Sequence, residues 1–419
     1  MTDAPTAPAI DRQRLIDDLR ALVRIPSVTG SEERVAEWAA EAVRDAGMRV
    51  EVLRPDPAAI RADPAWPGEE MSRTSLPVVI GRAGATDARR RVILSGHLDV
   101  VPPGDPGTWT TDPWGAEVRD GRLFGRGACD MKGGVASILG AVRALRSSGD
   151  LDRLDGELMV VFVPSEEDGG QGTLAAIRAG ATGNLAVITE PSNLDVVVAH
   201  AGAITFRLIV PGRAAHASQR REGVSALDKL FVLAAALQAD ETRRNGAETD
   251  PLMTALGLPY PTIIGIVNGG EWASTVLDRV TADGRYGVRL GQTPAEAEAD
   301  LRSAIAEACA DDDFLRDHPA TIEITGGRFG SARVPSEHPL PTGLAEVIEG
   351  VTGRRPALLA EPYGADMQMF VNVGSTPCVI FGPGDVRVAH SADEHVPLDE
   401  VEACARVLAA WVLRELPPA

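Results

Sequence analysis

Val92-Ile93-Leu94-Ser95-Gly96-His97-Leu98-Asp99 is an apolar run that ends on two side chains able to bind or support a metal ion. The pattern recurs along the chain. Leu158 to Val163 runs into Glu166 and Glu167, Ala186 to Thr189 into Glu190, and Cys378 to Gly384 leads on to His390. A glycine-rich loop, Gly125-Arg126-Gly127-Ala128-Cys129-Asp130, supplies one more carboxylate. In an open α/β sheet, ligands gather just beyond the carboxyl ends of the strands, where segments distant in sequence converge. Two histidines and three or four carboxylates converging in this way make a metal site suited to hydrolysis.

Working outward, helical spacing of Ile16, Leu19, Leu22 and Val23 predicts a helix stopped by Pro26, and a second is expected over 31–46. The Pro-rich stretch 55–74 reads as a surface excursion near the site's rim. Strands over 77–80, 91–95, 157–163 and 185–189 then alternate with helices over 133–147 and 172–179. This alternation predicts an α/β fold with a mostly parallel sheet. From Gly202 the texture changes to alternating Ile204, Phe206, Leu208 and Val210. An Ala/Leu-rich helix over 224–237 follows, then strands near 262–267 and 276–290, a helix over 294–310 and a strand near 320–324. The order β-α-β-β-α-β is the split βαβ pattern of a small ferredoxin-like domain. The expected organisation is one α/β domain formed by residues 1–201 and 331–419, interrupted by an inserted domain over 202–330.

A chain of 419 residues with 44% hydrophobic side chains can build two or three real cores. Its 41 Lys and Arg against 60 Asp and Glu give a formal charge of −19, which disfavours nucleic acid and anionic membranes as partners. Residues 1–10 lack the basic-then-apolar pattern of a leader, and no apolar run approaches about 18 residues, so a cytoplasmic protein without a membrane span is expected. Cys129, Cys309, Cys378 and Cys404 show no CxxC spacing and read as reduced core thiols.

His97 and Asp99 stand two apart at a strand end and so point to one side, which lets Asp99 support the orientation of a ligating His97. Asp130 has two carboxylate oxygens and can bridge two cations, as a histidine cannot. Glu166 and Glu167 can divide the work, one binding metal and the other taking a proton from the attacking water. Lys132 reads as a solvated surface residue. His216 falls in the inserted segment and can reach a metal site only if that segment closes over it. His200, His318, His338 and His395 read as structural or surface residues.

The segments 95–102, 125–134, 165–168, 189–191, 212–216 and 381–394 together resemble the co-catalytic zinc deacylase and exopeptidase family. Its members include acetylornithine deacetylase, succinyl-diaminopimelate desuccinylase, aminoacylase and glutamate carboxypeptidase. The resemblance spans essentially the whole chain. It implies a catalytic domain carrying two divalent metals, zinc first with cobalt or manganese as alternatives, and an inserted lid and dimerisation domain. It places His97, Asp130 and Glu190 on one metal and Asp130, Glu167 and His390 on the other, with a cis peptide after Asp130. Glu166 is the implied general base, Asp99 the residue orienting His97, and His216 the oxyanion-stabilising group delivered from a homodimer partner. Arg289 is the implied receptor for the substrate carboxylate, and Gly364 lines the implied substrate pocket.

Three positions depart from the family's usual pattern. Ala273 to Leu277 stands where relatives have an Asn followed by Val-Pro, Ser225 where they have Asn, and His200 where desuccinylases have an Arg. The resemblance therefore points to an acetylornithine-deacetylase-like enzyme for N-acyl amino acids with simple acyl groups. A carboxypeptidase or dipeptidase acting on short peptides is the alternative within the family. A metal-binding, non-catalytic scaffold is the alternative outside enzymes.

Overall fold

The computed structural model describes residues 7–85 and 89–418, so the leaderless reading of residues 1–10 lies, for 1–6, outside the described residues. The principal sheet runs, edge to edge, through Arg49–Leu53, Val78–Gly84, Glu157–Val163, Arg91–His97, Leu185–Ile188, Cys378–Ile380, Val196–His200 and Ala332–Arg333, with Leu358–Glu361 also paired to Val196–His200. Its centre is parallel: Arg91–His97 pairs in parallel with a strand on each side, and Leu185–Ile188 pairs in parallel with Cys378–Ile380. The outer pairings on either side include antiparallel ones. The expected α/β class is observed, as a mixed sheet with a parallel middle.

Register explains why the site forms where it does. His97 lies level with Val163, Ser95 with Ile188, and Ile188 with Ile380. The four central strands therefore end together, and the residues that follow each of them leave from the same edge. Beta-branched and aliphatic residues fill these strands, and Glu157–Val163 is buried throughout, as a sheet covered on both faces requires. Helices Arg12–Val23, Gly133–Ser148 and Leu398–Glu415 pack on one another, while Glu33–Asp45 and Gln171–Arg178 pack on strands.

Ala201 alone separates the strand ending at His200 from one that begins a second sheet, Gly202–Pro211. That sheet has the order Thr262–Gly269, Arg279–Val288, Gly202–Pro211, Thr321–Phe329 and is antiparallel throughout. Ile204, Phe206, Leu208 and Val210 turn inward with Val280, Ala282, Tyr286 and Val288, beneath helices Ala226–Gly246 and Pro294–Asp311. The alternate positions, among them Thr205, Arg207, Asp283 and Arg285, occupy the sheet's other face. No helix among the described residues is long and apolar enough to cross a membrane.

Candidate metal centre and active site

His97 ends its strand fully buried, and its ring Nδ1 lies 2.9 Å from the backbone carbonyl of Asp99. That contact holds the proton on Nδ1 and leaves Nε2 free as a donor to metal. The Asp99 carboxylate is farther from the ring, at 3.7 Å. Instead it accepts the backbone N–H groups of Glu166 at 3.1 Å and Glu167 at 3.2 Å, and the Thr29 hydroxyl at 3.0 Å. Asp99 thus orients His97 through its carbonyl, and its carboxylate fixes the Glu166-Glu167 turn.

Asp130 lies on the loop entering helix Gly133–Ser148, and the Asp130–Met131 peptide is cis. Gly134 permits the loop's close approach to the neighbouring strand end, because a Cβ there would collide with the Thr189 backbone. The two Asp130 oxygens face different histidines: Oδ1 is 3.1 Å from His97 Nε2, and Oδ2 is 3.3 Å from His390 Nε2. Glu190 completes the first side at 3.5 Å from His97 Nε2, and Glu167 the second at 3.1 Å from His390 Nε2. Potential ligand atoms of His97, Asp130 and Glu167, and of His97, Glu166 and Glu190, lie within 4.8 Å of one another.

These separations suit cations. Tetrahedral ligands at metal distances of about 2.0–2.2 Å sit about 3.3–3.6 Å apart. Burial pushes Glu167 to about 7 and Glu190 to about 8, and raises Glu166, with neighbouring carboxylates adding to each shift. Burial acts to raise Asp130 too, but hydrogen bonds to His390 and His97 outweigh it and hold it below the usual carboxylate range. His390, half exposed, is raised to about 10 by its hydrogen bonds to Asp130 and Glu167. Burial opposes charge on His97, yet Glu190 and Asp130 draw its pKa up. Such a cluster attracts positive charge from whatever source supplies it.

A cavity of about 350 Å³ opens over the cluster, lined by Asp130, Glu166, Glu167, Glu190 and His390 on one side. Glu70, Thr205, Arg285, Phe329, Tyr363 and Gly364 are among the residues that close it elsewhere. Gly364 is among the lining residues, and a Cβ there would strike the Phe329 side chain. Glu70 brings the Pro-rich excursion to the rim.

Arg289 and Lys132 depart from their expected places, and His216 lies apart from this cavity. Arg289 does not line this cavity. Strand Arg279–Val288 ends one residue before it, and its guanidinium turns toward helix Pro294–Asp311, 3.4 Å from Asp300. His216 is exposed on the second sheet's side, with Nδ1 2.9 Å from the Ser218 hydroxyl, and is not among the residues lining the cavity. Lys132 is buried rather than solvated: its ammonium donates to the Ile25 carbonyl at 3.0 Å and faces the Trp114 ring.

Sequence reasoning missed Glu394, whose Oε1 accepts the backbone N–H groups of Cys129 at 2.9 Å and Asp130 at 3.0 Å while Arg126 pairs with Oε2. It also missed Arg73, which binds Asp168 at 2.8 and 2.9 Å and Glu32 at 3.0 Å behind the Glu166-Glu167 turn. Arg73 lay in the stretch read as a surface excursion, and Glu394 closed the His390 segment without a role of its own.

A parallel-centred sheet that gathers two histidines and four carboxylates beneath one cavity is the setting of a metal-dependent hydrolase. The chain belongs to peptidase family M20/M25/M40, whose model matches residues 93–414, and it is a metal-dependent amidohydrolase of that family. It is 29% identical over 410 residues to a succinyl-diaminopimelate desuccinylase of Gluconacetobacter diazotrophicus, covering 94% of this chain and 95% of that one. It is 28% identical over 410 residues to an acetylornithine deacetylase of Yersinia pseudotuberculosis, covering 95% and 96%. The fold matches a metallo-carboxypeptidase of the family from Sulfolobus solfataricus with a TM-score of 0.74 at 16% identity, covering 96% of this chain and 98% of that one. A dinuclear metal-binding peptidase from Bacillus subtilis matches with a TM-score of 0.62 at 14% identity, covering 97% and 99%.

Proposed function

We propose that the enzyme hydrolyses the amide bond of N-acyl amino acids in the manner of an acetylornithine deacetylase. The observation that carries this reading is Asp130, whose two oxygens face different histidines, His97 with Glu190 beside it and His390 with Glu167 beside it, as a bridge between two cations would. His97, Asp130 and Glu190 would hold one ion, and Asp130, Glu167 and His390 the other, with zinc the first choice and cobalt or manganese compatible with the same donors. Bound there, divalent ions supply Lewis acidity that acidifies water and polarises the amide carbonyl.

The chain's own residues do the rest. Glu166 accepts the proton of the attacking water and delivers it to the departing nitrogen, and burial tunes its carboxylate upward for that exchange. Asp99 keeps Glu166 and Glu167 apart in role by clamping both backbone N–H groups. Residues 202–330 form the lid of this reading, with His216 reaching an oxyanion in the partner subunit of a homodimer. The edge strand Thr262–Gly269 supports such pairing, with Ile263 60% and Ile266 56% exposed and Trp272 beyond it 75% exposed. Four buried, unpaired cysteines suit a reducing, cytoplasmic setting.

The test is a panel of N-acetyl, N-formyl and N-succinyl amino acids and dipeptides, assayed after chelation and again after adding zinc, cobalt or manganese. Metal-restored amine release from N-acetyl amino acids is expected. Release from dipeptides alone would replace the deacylase reading with the peptidase one, and release from none would overturn both.

A further inference from the structure

Arg285 is the one lysine or arginine among the residues lining the cavity. It stands opposite Thr205 in the second sheet, on the face away from that sheet's core. Its neighbour on that face, Arg207, is tied to Asp283 by bonds of 2.6 and 2.8 Å. Arg285 has no comparable partner: among the described residues it makes no side-chain hydrogen bond and no ion pair, and Glu70 acts on it only through space. Glu70 is itself engaged, accepting the Thr205 hydroxyl at 3.0 Å.

Partial burial of a guanidinium is costly unless an anion meets its donors, and burial here disfavours the charged form. The opposite side of the cavity is crowded with Asp130, Glu166, Glu167 and Glu190. With the ligand carboxylates on that side committed to the ions they would hold, the cavity offers a substrate carboxylate one guanidinium, that of Arg285, whose planar fork matches its two oxygens. Arg289, the receptor implied by family resemblance, points elsewhere.

We propose that Arg285 is the specificity-determining residue of this site, receiving a carboxylate of the amide substrate and so setting the scissile bond over the metal ligands. The inference rests on the proposed amide hydrolysis for its substrate class, but not for its test.

With the zinc-loaded enzyme, each carboxylate-bearing substrate is compared with its uncharged primary-amide analogue. In Arg285→Ala the KM for the acid rises by about ten- to a hundredfold, the range for losing a charge-assisted hydrogen-bond pair. Bound metal stays near wild type, turnover of the amide analogue falls far less than that of the acid, and Arg285→Lys recovers part of the loss. N-acetyl amino acids carry the carboxylate on the amine half and N-succinyl amines on the acyl half, so the series that responds identifies the half that Arg285 reads.

Calorimetric titration with N-acetylalanine and N-acetylalanine amide asks the same question without turnover. A preference for the acid that collapses in Arg285→Ala sustains the proposal even if wild-type enzyme cleaves no member of the panel, an outcome that removes only the proposed function. An unchanged acid preference, or equal loss of both ligands, overturns it.

Discussion

The metal-ligand cluster and the open face of the second sheet border the same cavity, yet their side chains are held in opposite ways. On the cluster side nearly every group has a second partner. Asp99 holds the Glu166-Glu167 turn, Glu394 holds the Asp130 loop, and Arg73 clasps Asp168 beside them. On the sheet side, the His216 ring is bonded to Ser218, and among the described residues the Arg285 guanidinium makes no hydrogen bond or ion pair. In the proposed reading, groups that would hold a cation within a few tenths of an ångström are over-determined, and groups that would meet a substrate keep their donors available.

The sharpest way to break this comparison is to separate holding from chemistry within the cluster. Asp130→Ala removes the carboxylate shared by both sides, and loss of bound metal together with all activity is expected, read by elemental analysis and amine release. Glu166→Gln should keep the metal while kcat falls by about 10²–10⁴, the usual contribution of a general base. Metal retained in the first variant, or turnover retained in the second, would sink the division of roles.

Glu394 tests whether over-determination matters for folding. It is buried, paired with buried Arg126, and caps two backbone N–H groups. Removing one member of a buried pair strands the other charge, at a cost of about 3–5 kcal/mol. Denaturant unfolding of Glu394→Ala should show a loss of that size together with weaker metal binding. A midpoint unmoved from wild type would mean that the loop is held by something else.

The contrast also governs what was legible in the sequence. His97, Asp130, Glu167, Glu190 and His390 were readable because each follows an apolar strand or a glycine-rich turn, so local pattern and tertiary position coincide. Glu394 and Arg73 were not, since a buried salt bridge between distant loops leaves only isolated charges in the sequence. Arg285 occupies an outward position of an alternating strand, where periodicity predicts solvent, and only the sheet's placement against the cavity changes its meaning. The short strands Val196–His200 and Leu358–Glu361 escaped the sequence reading as well, because four or five residues carry too little periodicity.

His200 sits where the two sheets join, one residue before the second begins. It is fully buried, with Nδ1 2.7 Å from the Ala201 carbonyl and the Tyr363 backbone also acting on the ring. Burial lowers its pKa from 6.5 to about 4. The unfolded chain therefore binds a proton there before the folded one does, and stability must fall as pH drops from about 6.5 toward 4. In His200→Phe that acid limb should flatten across the window, as measured by denaturant midpoints. An acid limb identical to wild type would show that His200 takes up its proton in the folded chain as readily as in the unfolded one.

The smallest effect is expected from Arg207, two residues along from Thr205 and paired with Asp283. Solvent screens this pair, and holding two side chains in one geometry offsets much of its Coulomb attraction. Arg207→Ala should therefore leave the melting temperature within experimental scatter and KM unchanged for both acid and amide substrates. The comparison with Arg285→Ala is the informative part, because both changes delete an arginine from the same face of the same sheet. If the two variants shift KM alike, the cavity responds to the sheet's overall positive field rather than to one receptor. If only Arg285→Ala shifts it, the distinction between a paired arginine and an unpaired one has a functional meaning.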